Sequence, residues 1–318
     1  MPINIDGSKG IRQNTTEVTT IPVGTTAQRP ASPVAGMMRF NTDEGRVEGY
    51  NDRIDEWQPI NQLFQKLAAT GGTVTDITQD GQLFRVHTFT SDGTFEVTAG
   101  GGEVDVFLVG GGGSGGGERG GGGGGSAKSH FGIFVQKGNK QVTVGAGGIH
   151  PGTVRSNAPG EDSFFINSDF IAEGGQVSGS PDGGSGGSGG GGSSTSSSRV
   201  GGDGGSDGGD GEPGSNGAGG SGQGFSTREF NQIFLNGSWQ TIDPNSNATL
   251  YAGGGGGGGD AGSPGFGGAG GGGNSVETGL PTNGVPNTGG GGGSTASSDG
   301  DGAGNGGSGI VIVRYRLG

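Results

Sequence analysis

Residues 110–125, 183–192, 201–211, 253–259, 267–273 and 289–293 are tracts of glycine broken only by scattered Ser, Asp, Ala, Glu or Arg. Such a tract has no side chains from which to build an oily interior, yet fixing its backbone costs roughly 1–2 kcal/mol per residue. A chain dominated by these tracts must stay disordered or fold with the backbone itself as the core. Of the 87 glycines, 76 lie in residues 100–309 and 9 in residues 1–82, so the composition changes near Gln82.

A collagen helix requires glycine at every third position and abundant proline. The stretches GGGGGGGD at 253–260 and EDSFFINSDF at 161–170 break that period, and the chain has 13 prolines. A flexible Gly/Ser linker does not account for the apolar segments set between the tracts, which need burial partners. The reading that remains is a bundle of polyglycine II helices. These are extended, with three residues per turn and about 3.1 Å rise, and their N–H and C=O groups point outward to neighbouring strands. Inner helices must be almost pure glycine, as at Gly253–Gly259 and Gly121–Gly125. Helices on the rim tolerate the Ser and Asp of 183–192 and 201–211.

Four regions follow: an arm at 1–17, a β module at 18–60, a short helix and linker at 61–82, and a glycine-rich domain at 83–318. In the β module, strands are expected at Met37–Thr42, Arg46–Asn51 and Glu56–Ile60, separated by Asp/Gly turns. They form a small meander anchored by Phe40, Tyr50 and Trp57. Three short strands are marginal alone, so the unit is expected to pack on copies of itself, with Met37, Phe40, Tyr50 and Trp57 as candidates for oligomerisation. Asn61–Ala69 has helical spacing. Hairpins are expected at Leu83–Ala99, Phe131–Val144 and Asp162–Ala172, the last turning at Asn167–Asp169. Glu103–Val109 reads as a strand, and the β-branched Ile310–Tyr315 is expected to pair with it or with the 83–99 hairpin. The fold class is therefore mainly β and polyglycine II, closed by a β-sheet, with little α-helix.

Chemistry is sparsely signalled. The chain lacks cysteine, which excludes disulfides, thiolate metal sites and thiol nucleophiles. A net charge of −13 argues against nucleic acid as a partner. No apolar run reaches membrane-spanning length, so no membrane insertion is expected. The opening MPINIDGSKG carries no apolar h-region of a secretory signal. Gly183–Gly187 matches G-x-S-x-G, but at this composition the match arises by chance and lacks the strand and helix of a nucleophile elbow. There is no Gly-Lys dipeptide for a phosphate loop, and His87, His130 and His150 form no ligand pair. No enzyme, cofactor or metal is expected. Asp203, Asp207 and Asp210 faintly match a calcium-binding repeat but lack its nine-residue period, which favours solvent-facing rim positions. Binding is the remaining class. Aromatic anchors are typical of contact surfaces, so Phe230, Phe234 and Trp239 in the island 225–251 are candidates either for contact or for packing. The Pro-containing loop 274–288, between two tracts, adds Leu280, Pro281, Asn283 and Val285.

The segment PVGTTAQRP at 22–30, followed by GMMRFNT at 36–42, Glu48-Gly49-Tyr50 and Trp57, resembles a module of tail-fibre and other structural proteins of marine and cyanobacterial phages. Phe40 stands where tyrosine is frequent in that module. FTSDGTFEV (89–97), VFLVGGGGSGGG (106–117), VTVGAGG (142–148) and GGSGIVIVRY (306–315) resemble the glycine-rich domains of such fibres. A more distant resemblance is to the polyglycine II tip adhesins of T-even-like phages. The resemblance implies a homotrimeric virion appendage, attached to other virion proteins through its N-terminal region. Its loops would recognise a host cell-surface glycan or outer-membrane component. The alternative is a structural head fibre, neck whisker or capsid decoration protein without receptor binding.

Overall fold

The computed structural model describes residues 21–317 apart from 54, 64, 80, 118–119, 152–157, 180–181, 194–202, 205–209, 213–231, 236–237, 242–249, 259–263 and 296–301. The described chain is mainly β, with little helix. It divides into two compact units, Met1–Lys66 and Leu67–Gly318.

In the first unit, β1 (Val23–Gly24), β2 (Met38–Asn41), β3 (Arg46–Asn51) and β4 (Glu56–Pro59) form one sheet in that order. A four-residue helix, α1 (Ile60–Leu63), follows. Its buried side chains are Arg39, Asn41 and Glu48, and among its described residues no apolar side chain is fully buried. The carboxylate of Glu48 accepts from Arg29 Nε at 3.1 Å and Asn41 Nδ2 at 3.1 Å, and it lies 3.5 Å from Arg39 Nε. Arg39 also donates to the Thr25 carbonyl at 2.7 Å. The aromatic anchors are therefore not the centre of this sheet. Phe40, Tyr50 and Trp57 are half-buried, as is Met37. Cross-strand register puts Phe40 with Val23 and Val47 on one face, and Tyr50 with Trp57 on the other. A buried ion cluster holds the unit.

In the second unit two five-stranded sheets face each other. The first has the order β10 (Ala127–Val135), β9 (Gly102–Val109), β16 (Ile310–Arg316), β7 (Gln82–Phe89), β6 (Thr73–Gln79). The second has the order β13 (Asn167–Ala172), β12 (Ser163–Phe165), β11 (Gly138–Thr143), β8 (Gly93–Ala99), β5 (Ala68–Thr70). A separate pair, β14 (Gln232–Leu235) and β15 (Ser238–Thr241), is antiparallel. The core between the sheets contains Val104, Val106, Leu108, Val311, Val313 and Tyr315 from one side and Phe95, Val97, Val142 and Phe165 from the other. Tyr251 and Ala252 cover the opposite face of the first sheet, over Phe107, Val109, Ile310 and Ile312. This explains why β9 alternates acidic and apolar residues in its first half and is apolar throughout its second: only the second half is covered on both faces.

β16 pairs antiparallel with both β9 and β7, so the end of the glycine-rich region returns to the sheet beside its beginning. Two expected hairpins are corrected. β7 and β8 lie in different sheets, because both edges of β7 are taken by β6 and β16, and the chain at Ser91–Asp92 passes between layers. β10 and β11 are likewise split between sheets. The third hairpin, β12–β13, turns at Ile166 rather than at Asn167–Asp169. The segment expected as helix and linker at 61–82 contains instead the end of α1 and the strands β5 and β6. The chain steps from one sheet to the other at Gly71 and Gly72, which have φ +109° and +60°. A Cβ at Gly71 would lie 2.0 Å from the Thr94 carbonyl oxygen.

Where the sandwich core ends, at Val109, Ala127, Val144, Ala172 and Gly309, the strands continue as glycine ribbons and the layers close on each other. Bonds that ran only within a sheet now cross between sheets. The Gly309 N–H donates to the Gly145 carbonyl, and the Ser126 N–H donates to that of Glu173. From Gly110 to Gly116 the partners change with a period of three. Gly110, Gly113 and Gly116 donate to Ser126, Gly123 and Gly120. Gly111 and Ser114 donate to Glu161 and Ala158, and Gly112 and Gly115 to Gly307 and Gly304. The next ribbon repeats the pattern. Gly121 and Gly124 donate to Gly191 and Ser188, Gly122 and Gly125 to Gly292 and Gly289, and Gly123 and Ser126 to Gln176 and Glu173. Each ribbon therefore addresses three neighbours in rotation, and buried amides are satisfied by other backbones.

Candidate functional site

The candidate surface is the rim of the glycine ribbons. Inside the bundle, side chains are excluded by contact. A Cβ on Gly112, Gly121, Gly122 or Gly291 would lie 2.1–2.2 Å from a neighbouring carbonyl oxygen. Apolar side chains on ribbons must therefore point outward, and four do so strongly: Leu280 is 80% exposed, Phe266 73%, Ile149 63% and Val285 50%.

The loop carrying two of these is held by its own polar atoms. Asn283 is exposed, and its Oδ1 accepts the Asn305 N–H at 2.8 Å. The Asn305 carbonyl accepts Gly284 N–H at 2.8 Å, and its Oδ1 accepts His150 N–H at 2.7 Å. This amide ladder ties the ribbons carrying Ile149 and Val285 to one shared neighbour. Val285 N–H donates to the Gly271 carbonyl, and Thr288 Oγ1 donates to the Val285 carbonyl at 2.7 Å. The Asn274 N–H donates to Thr282 Oγ1 at 2.6 Å, closing the base of the loop. Pro281 is buried, and a Cβ at Gly302 would lie 3.4 Å from its Cδ. Pro281 supports the loop from within, while Leu280, Asn283 and Val285 are its exposed candidates.

The other sequence candidates divide. Phe234 and Trp239 are register partners in the β14–β15 pair, and Phe230 lies outside the described residues. Asp203 and Asp210 are exposed, and Asp210 Oδ1 accepts the Gly204 N–H at 2.7 Å; Asp207 lies outside the described residues. No group of three or more His, Asp or Glu suited to a metal occurs among the described residues. Gly183–Gly187 runs in ribbon, and no helix follows it among the described residues. Phe266 and Ile149 were not anticipated. The signal was available: a single apolar residue between glycines, as in GSPGFGG and AGGIHPG, has no strand face to join.

Such a surface offers apolar contact and peptide groups on a scaffold fixed by lateral hydrogen bonds. No curated protein matches the chain in sequence. A family model described as a glycine-rich domain matches residues 88–316, which takes in the strand β16 as well as the ribbons. The chain belongs to that glycine-rich domain family.

Proposed function

We propose that the ribbons are polyglycine II helices and that the chain is a virion appendage protein whose rim residues recognise a host cell surface. The three-residue rotation of hydrogen-bond partners along 110–116 and 121–126 supports the first part, because that period belongs to a three-fold extended helix. The second part is carried by the exposure of Leu280, Phe266, Ile149 and Val285 on a rigid backbone lattice. The partner is a cell-surface glycan or outer-membrane component, bound by many shallow contacts whose avidity comes from repetition. The first unit serves attachment, and no reaction is proposed.

The test is attachment of the purified, fluorescently labelled chain to a panel of bacterial cells, with Leu280→Asp/Phe266→Asp as the comparison. The expected result is saturable attachment to at least one strain, reduced tenfold or more in the variant at unchanged thermal stability. Equal attachment by the two proteins would overturn the rim assignment. Immunogold labelling of virions distinguishes the rival structural role: label on heads rather than tails refutes host recognition.

A further inference from the structure

The two facing sheets of the second unit have four outer edges, and three are blunted. β10 breaks register between His130 and Ile133, where Gly132 has φ +66° and donates its N–H to Asp105 Oδ1. β13 joins its sheet through a register shift at Phe164/Phe165, and β5 is three residues long with a shift of its own. β6 is different. It runs for seven residues in unbroken register with β7, from Thr73↔Thr88 to Gln79↔Gln82, and no described strand lies on its other side. It has no proline, lysine or bulge, the devices that normally protect an edge. Thr73–Thr78 are all exposed. Val74, 46% exposed, and Ile77, 39% exposed, point to opposite faces, and the threonines and β-branched residues favour strand pairing.

Charge permits a second copy at this edge. The chain carries −13 overall, so two copies repel across most of their surfaces. On β6 the one charge, Asp76, is neutralised by a bidentate pair with Arg85 at 2.8 and 2.9 Å. The strip is locally neutral and identical in each copy.

We propose that β6 is a self-association edge: β6 of two copies pairs antiparallel about a two-fold axis, joining two five-stranded sheets into one of ten strands. The register that uses all seven residues is centred on Asp76. It sets Val74 opposite Thr78 of the partner subunit and Thr75 opposite Ile77 of the partner subunit. The two Asp76 carboxylates meet at the axis, each clamped by its own Arg85, so four charges sum to zero. This surface is independent of the rim and needs no receptor.

The full chain is examined by size-exclusion chromatography with light scattering. The expected mass is twice the 30.8 kDa of one chain. Val74→Lys/Ile77→Lys halves it, since both residues are exposed and their replacement leaves the core intact. Arg85→Ala also halves it by leaving two facing carboxylates bare, and Arg85→Ala/Asp76→Asn restores it. Because the chain has no cysteine, Asp76→Cys introduced together with Arg85→Ala gives a single thiol with no bare charge at the axis. Opposed antiparallel residues have Cα atoms about 4.5–5.5 Å apart, within disulfide reach, so oxidation gives a covalent two-chain species that reductant dissolves. A one-chain mass for the unmodified protein overturns the proposal. So does the homotrimer that the sequence resemblance implies, if its mass is indifferent to the lysine pair.

Discussion

Replacing Gly122 by alanine tests the backbone-core argument at its tightest point. The new Cβ would lie 2.2 Å from the Gly113 carbonyl oxygen and 2.7 Å from that of Ser114. An ordinary carbon–oxygen contact needs more than 3 Å, so one ribbon must move by about 1 Å, on the scale at which overpacked cores lose about 1–3 kcal/mol. The move also opens bonds that Gly122 shares with its neighbours: its N–H donates to Gly292 at 2.9 Å and its carbonyl accepts from Gly255 at 2.8 Å. Each lost bond costs a net ~1 kcal/mol, and more where the freed group stays buried. Gly122→Ala should therefore destabilise the second unit by at least about 3 kcal/mol. At about 2–4 °C per kcal/mol for a unit of this size, Tm falls by about 6–12 °C. Gly179→Ala is the matched control. It has open space around its Cβ position and no positive φ, so alanine there should be neutral or stabilise by up to about 1 kcal/mol through the unfolded chain. Thermal melts followed by circular dichroism measure both. Equal Tm values for the two variants would refute the claim that the ribbons touch backbone to backbone.

The same ribbons predict slow amide exchange across 110–116 and 121–126, where every N–H has a backbone acceptor; complete deuteration of these peptides within seconds by mass spectrometry would contradict the bonding described. In the first unit, hydrogen bonding to Arg29 holds the Glu48 carboxyl below its ordinary range. Its contribution is present above the carboxylate's unfolded pKa and is lost as pH falls through the lower folded value. Acid titration should unfold this unit on the acid side of pH ~4, and Glu48→Gln should flatten the dependence while lowering stability at neutral pH. In the second unit, burial depresses the pKa of His87, whose Nδ1 lies 2.8 Å from the Gly71 carbonyl oxygen while Nε2 has no partner. The neutral ring is favoured in the fold, so stability is complete above the unfolded histidine pKa of about 6.5 and declines as pH drops below it. His87→Asn should remove that slope in urea melts between neutral and mildly acidic pH, whatever its effect on the absolute level.

Which of these features the sequence displayed depends on whether side chains or backbone carry them. The strands β9 and β16 announce themselves because Val, Ile, Phe and Leu must be buried, and their pairing follows from the need to cover both faces. The layer change after β7 is hidden, because the turn Ser91–Gly93 suits a hairpin and a crossover equally well. Only the competition of β16 for the same edge decides, and that competitor lies more than 200 residues away in the chain. The polar centre of the first unit was hidden for a different reason. Arg29, Arg39, Asn41 and Glu48 are residues usually found in water, and nothing in their spacing shows that the two arginines converge on one carboxylate. The ribbons are the limiting case. Gly112 bonds to Gly307 and Gly122 to Gly292, yet no residue in either pair differs chemically from dozens of others. Register is set instead at the ends, by strands that enter and leave the sandwich at fixed heights, so the β core acts as the template that aligns featureless glycine. It follows that the interior of the bundle tolerates almost no side chain, while the rim positions that carry Ile149, Phe266, Leu280 and Val285 contribute little to the fold. A scaffold of this construction leaves its contact residues free to change without disturbing the bonds that hold them in place.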